Sequence, residues 1–240
     1  VRGRELLRRL EEAYAMPPSR PDTGLVYADT DNRGVTFGFV DTVTHTGDLL
    51  FCSVLKYQAA RELAALYAEI GDGEGAQDCR DRAETLKRAI DVTFPAVDGL
   101  LRASTGASAQ PDVWGTAYAV YVGALTPGKK AAACRALANA YDAGTLAWRG
   151  NIRHVRITDD FSDATMWERA LAAKNTYQNG AYWGTPVGWV VYAIARIDRP
   201  MAARLAREYL AELREGDFRN GPESGSPWEC MHPDGNHRQN

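Results

Sequence analysis

Two stretches of this sequence have the periodicity of a helix but no polar face, and that constrains the fold more than any other feature. One runs from Asp112 to Leu125 with no charge after its first residue; the other opens at Thr185-Pro186, stays uncharged as far as Ala195 and is read to Ile197. A helix without a polar face must be covered all round by other elements. Each is followed by an amphipathic partner. Thr126-Pro127 supplies an N-cap and an N1 proline for a helix ending near Gly144, and a charged helix runs from Pro200 to Glu215.

An earlier pair follows the same grammar. Leu49, Cys52, Ala59, Leu63, Leu66 and Ile70 mark one helix with Asp48 in its first turn, and Cys79, Ala83, Leu86, Ile90 and Phe94 mark the next. The short glycine-rich connection from Gly71 to Gly75 makes these two antiparallel neighbours. A leading helix spans Arg4 to Tyr14, and strand-type alternation is nearly absent. Placing the first member of each pair inside and the second outside gives an all-α fold. The expected architecture is an (α/α) barrel of helical hairpins, with residues 1–240 as a single domain. Tetratricopeptide arrays are also helical hairpins, but the inner helices here begin near Asp48, Asp112 and Thr185, roughly twice the spacing such repeats require.

Composition excludes several classes of partner. With 45% hydrophobic and 25% charged residues, the 240 residues can bury one substantial core. The formal charge of -3 gives no electrostatic footprint for nucleic acid or an anionic membrane. The uncharged run from Gly180 to Ala195 is too rich in Gly, Pro, Trp and Tyr for a membrane span. Cys52, Cys79 and Cys134 fall on apolar helical stripes, and with Cys230 they form no disulfide framework. No basic segment followed by an apolar one opens the chain, so it reads as cytoplasmic rather than secreted.

The extra length in each repeat sits in long loops ahead of the inner helices, where function usually resides. Those loops run from Arg33 to Gly47, from Ser104 to Gly115, from Asn175 to Gly184 and from Glu223 to Gly235. Each combines glycines, aromatics and carboxylate or amide groups. Aromatic faces stack on the C–H faces of a pyranose and amides pair with its hydroxyls, so the mixture suits a neutral polyol.

The strings Phe37-Gly38-Phe39-Val40-Asp41-Thr42, Asp112-Val113-Trp114-Gly115, Tyr177-Gln178-Asn179-Gly180-Ala181-Tyr182-Trp183-Gly184 and Trp228-Glu229 ahead of Asp234-Gly235 resemble the six-hairpin glycosidases. The likeness is to the trehalase and processing α-glucosidase clan and its amylo-α-1,6-glucosidase-like bacterial members, and covers the chain from Asp22 onward. It implies an inverting hydrolase that needs no cofactor and acts on an α-linked glucoside or similar small saccharide. Carried onto this chain, Asp41 is the general acid and Glu229 the general base, with Glu223 the second choice for the base. Phe39, Asp112, Trp114, Tyr177, Gln178, Asn179, Tyr182, Trp183, Trp228 and His232 become saccharide-binding candidates.

Plainer readings stand beside these. Asp41 suits a turn, Glu229 a solvated loop, and Asp112 a helix N-cap. Trp189 lies within an uncharged helix and reads as core, whereas Trp183 lies in a loop. Cys230, His232, Asp234 and His237 match no zinc spacing, so no metal is expected. Asp159, Asp160 and Asp163 lack the glycine and terminal glutamate of a calcium loop and read as a solvated acidic turn. A sugar epimerase on the same barrel would need a base for a carbon-bound proton, and only His45 lies in a motif loop. A non-catalytic carbohydrate-binding or scaffold protein is the third reading. Six hairpins need more chain than this, and only three can be counted; the ring is therefore expected to be incomplete, with an open apolar side that favours self-association.

Overall fold

The computed structural model describes residues 2–29, 42–221, 225 and 227–235. The chain is mostly helical. Helix α1 spans Arg2–Ala15, α2 Leu50–Glu69, α3 Gly73–Thr93, α4 Val113–Val122, α5 Pro127–Asp142, α6 Val187–Ala195 and α7 Arg199–Glu215. The pairs α2/α3, α4/α5 and α6/α7 pack as antiparallel hairpins, while α4 lies between α2 and α6. An inner arc of α2, α4 and α6 is thus backed by α3, α5 and α7, with α1 against α2. A closed ring is not present among the described residues.

Helix ends follow local chemistry. Asp72, Asp112 and Asp198 each cap the helix that follows, accepting a hydrogen bond from the backbone N–H three residues on. Two starts differ from expectation. Asp48 is not in the first turn of α2: it belongs to a short strand and forms an ion pair with Arg20 at 2.7 Å. Leu49, in an extended conformation, is the residue that leads into the helix. Likewise, Pro186 rather than Thr185 is the N-cap residue of α6, which leaves the Thr185 side chain outside the helix.

Burial separates the inner helices. Every residue of α4 except Tyr121 is buried, so its lack of a polar face is matched by cover on nearly all sides. Helix α6 is a correction to that pattern. Gly188 and Tyr192 are exposed, as is Arg196 just beyond the helix end, and their four-residue spacing marks one face in water. Tyr192 and Tyr121, at 36% and 50% exposure, pack edge to face with ring centroids 5.4 Å apart.

Among the described residues, eight two-residue strands join the helices in antiparallel pairs. After α3, β4 (Ala96–Val97) pairs with β5 (Leu100–Leu101), and after α5, β6 (Ala147–Trp148) pairs with β7 (Asn151–Ile152). Both hairpins turn through a non-glycine followed by glycine, Asp98-Gly99 and Arg149-Gly150, with all four residues at positive φ. That is the geometry of a two-residue turn whose twist matches the strands. The remaining pairs are long-range: β1 (Tyr27–Ala28) with β3 (Gly47–Asp48), and β2 (Val43–Thr44) with β8 (Arg169–Ala170).

All four cysteines are buried and none is joined in a disulfide. Among the described residues no helix is long and apolar enough to cross a membrane, and no cluster of ligands suits a metal ion.

Candidate functional site

A cleft of about 640 Å³ opens between the loop before α6, the outer helix α7 and the segment around Trp228. Tyr177, Trp183, Trp228 and Glu229 line it, together with Thr185 and Tyr209. The first four are residues the sequence singles out. Trp183 is held from behind by a buried aromatic stack: its ring lies 6.0 Å from that of Trp114, edge to face, and Trp114 stacks on His154 at 3.5 Å. Tyr177 packs 5.1 Å from Trp183 and donates its hydroxyl to Glu229 Oε1 at 3.2 Å. Glu229 is exposed in the cleft.

The loop from Asn175 to Gly180 is tied down at nearly every residue. The Asn175 N–H donates to the Asn179 carbonyl, and the Asn179 N–H donates to that of Thr176. Asn179 Oδ1 accepts from the Met166 N–H and the Thr165 hydroxyl, and its amide nitrogen donates to Ala172 O. Gln178 Oε1 accepts from both the backbone and the hydroxyl of Thr42, while Trp167 Nε1 donates to the Gln178 carbonyl. Arg153, 2% exposed, donates from Nε to the Gly180 carbonyl and grips Asp160 through both terminal nitrogens, at 2.7 and 3.1 Å. Gln178 and Asn179 thus fasten the loop, and Tyr177 is the residue of that string which reaches the cleft.

Other sequence candidates lie elsewhere. Phe39 and Asp41, with the fallback base Glu223 and His237, fall outside the described residues. Asp112 is buried at the start of α4, with its Oδ1 accepting from the Gly115 N–H at 2.8 Å. Trp114 is buried behind Trp183, and Tyr182 is buried where its backbone bridges to Met231. His232 is half-buried, with Nδ1 3.1 Å from Asp234 Oδ1 and its ring 5.9 Å from that of Tyr182. The acidic segment at Asp159 and Asp160 is not a solvated turn: Asp160 pairs with Arg153 and Lys174, and Asp159 with Arg156. Basic residues on either side of it in sequence turn inward to meet it, which composition does not foretell.

Two features of the site went unread in the sequence. Tyr209 comes from the outer helix α7, whose charged pattern points to solvent. The glycines it requires are visible, since a β-carbon at Gly184 would overlap the Tyr209 hydroxyl and one at Gly150 its backbone. Buried His154 was missed because no motif surrounds it.

Burial sets the electrostatics near the inner helices. Desolvation drives His154 well below the ordinary histidine range, with Arg153 and His45 adding to the effect, so its imidazole is neutral at pH 7. Burial pushes the Cys230 thiol up to about 12, reinforced by the Glu229 charge, which leaves it unreactive. Asp112 is raised from 3.8 to about 7 by burial, which outweighs the backbone hydrogen bonds from Gly115 and Trp114. Because the folded state binds this proton more tightly than the unfolded one, the stabilisation from Asp112 is full below about pH 4 and is lost as pH rises through about 7. An asparagine at this position would cap the helix equally well without ionising. Urea unfolding across that window should therefore show wild type losing, relative to Asp112→Asn, on the order of a few kcal/mol; a constant difference between the two would contradict the assignment.

No protein-family model matches the chain, and no curated protein matches it in sequence. Its fold is similar to part of a solved structure titled "Sialidase", with a TM-score of 0.65 at 13% identity over 94% of this chain. The chain spans about a fifth of that protein's length (21%).

Proposed function

We propose that the chain carries the saccharide cleft of an inverting glycoside hydrolase acting on an α-linked glucoside or a similar small saccharide. The observation that carries this reading is the placement of the exposed Glu229 carboxylate in a cleft walled by Tyr177, Trp183, Trp228 and Tyr209. Aromatic rings present flat apolar faces to a sugar, and an exposed carboxylate has access to the water it must activate. Among the described residues that line the cleft, Glu229 is the sole charge, which suits a neutral sugar better than an acidic one. The similarity of fold to part of a structure titled "Sialidase" supports the carbohydrate reading in general, and not the neutral charge of the sugar.

In this reading Glu229 is the general base. It takes a proton from water as the oxygen attacks the anomeric carbon, while Asp41 as general acid protonates the leaving oxygen. Inversion requires the two carboxyl groups to stand about 6.5–9.5 Å apart, with room for that water. The epimerase reading loses its candidate base, because His45 is buried against Trp167, with ring centroids 5.0 Å apart, and does not line the cleft.

Incubation with a library of α- and β-linked disaccharides, followed by NMR of the product anomer, tests the proposal. Hydrolysis with inversion at the anomeric carbon is expected. Saturable binding without turnover would make the chain a sugar-binding protein instead, and retention of configuration would remove the assigned mechanism.

A further inference from the structure

Tyr177 occupies a backbone conformation that a tyrosine rarely adopts. Its φ is +43°, in the left-handed region where glycine and asparagine are at ease and a bulky side chain is strained. Such strain persists only where the surroundings over-determine it, and it concentrates at functional sites. Here the surroundings can be named. The loop is locked beside Tyr177 by the Gln178, Asn179 and Gly180 contacts, and the Tyr177 backbone makes a hydrogen bond to Cys230, the neighbour of Glu229. The ring leans on Trp183, which is itself backed by Trp114. The hydroxyl then reaches Glu229 Oε1 at 3.2 Å. Backbone and side chain of one residue thus grip two consecutive residues, 229 and 230, of a segment that has no helix or extended strand of its own.

We infer that Tyr177 is the positioning residue for Glu229, fixing one carboxylate oxygen by a hydrogen bond so that the other faces the attacking water; this rests on the hydrolase reading above. The Tyr177 hydroxyl acts through Glu229, while the ring stays part of the cleft wall. A carboxylate on an exposed segment samples many rotamers, and a base must be held within a few tenths of an ångström of its productive position. A charge-assisted hydrogen bond from a ring already wedged between Trp183 and the loop supplies that restraint.

The test compares wild type, Tyr177→Phe, Glu229→Gln and the double variant on 4-nitrophenyl α-glucoside. This probe has an activated leaving group, so attack by water still needs the base. Phenylalanine keeps the ring and its packing, so the fold should be retained. Tyr177→Phe is expected to lower kcat about tenfold or more with KM within about twofold, the size of a lost hydrogen bond to a charged group. The double variant should be no slower than Glu229→Gln, since the hydroxyl that Tyr177→Phe removes has no route to the reaction except through that carboxylate. The 13C resonance of the Glu229 carboxyl carbon should move on Tyr177→Phe, a readout independent of turnover. Wild-type kcat in Tyr177→Phe beside an inactive Glu229→Gln overturns the role of Tyr177 alone, as does an unmoved carboxyl resonance. A moved resonance in a protein that turns over neither this probe nor the disaccharide library overturns the hydrolase reading beneath it.

Discussion

Glu229→Gln is expected to lower kcat by about 10²- to 10⁴-fold while leaving substrate affinity nearly unchanged, the range contributed by a positioned general base. Glutamine preserves the shape of the side chain and its ability to accept from the Tyr177 hydroxyl, which in the parent protein donates at 3.2 Å. It deletes only the capacity to remove a proton from water. The loss should therefore appear in kcat and not in KM, and isothermal titration with the disaccharide identified from the library should give a similar Kd for both proteins. Full turnover in the variant would strike out Glu229 as the base and transfer attention to Glu223. Asp41→Asn should give a loss of similar size on disaccharides, but a smaller one on an aryl glycoside, whose leaving group needs little help from an acid.

The second large effect concerns stability. Arg153→Met should cost about 3–5 kcal/mol, the usual cost of breaking a buried ion pair from one side. Arg153 is 2% exposed and makes two bonds to Asp160 and one to the Gly180 carbonyl, and methionine replaces none of them. Asp160 is left with Lys174, and the Gly180 carbonyl loses its donor. A fall in the urea midpoint with an unchanged slope would register the loss as one of stability. Adding Asp160→Asn should recover part of it by removing the carboxylate left behind, and a wholly additive double variant would argue that the pair does not act as a unit. Because Gly180 ends the loop that carries Tyr177, the same variant should also lower kcat at temperatures where it remains folded.

Much of the scaffold was legible because its causes are local. Periodicity placed the seven described helices to within a few residues, and side chains adjacent in sequence set their ends: Asp112 for α4, Pro127 for α5, and glycines beyond the last turns. The uncharged Asp112 to Leu125 run announced a helix enclosed by others, as α4 is. Asp98-Gly99 between Val97 and Leu100 is a hairpin turn by the residue types alone, and the matching turn at Arg149-Gly150 is concealed by an arginine in the position that asparagine or aspartate usually fills.

What tertiary structure alone decided is which residues of the loop from Asn175 to Gly184 face the cleft. In the string from Tyr177 to Asn179 all three residues have chemistry suited to a sugar, yet Gln178 and Asn179 turn inward to fasten the loop and Tyr177 turns outward to Glu229. Their directions depend on Thr42, Thr165 and Met166, whose distance in sequence leaves no pattern to read. Tyr209 enters the cleft from a helix whose surface is charged, because Gly150 and Gly184 let its backbone and hydroxyl approach. Asp160 reads as a surface acid until Arg153 is found buried against it. Periodicity and capping report a residue's relation to its own helix. Burial, charge pairing and the aim of a loop side chain report its relation to distant segments, and those exist only once the chain has folded.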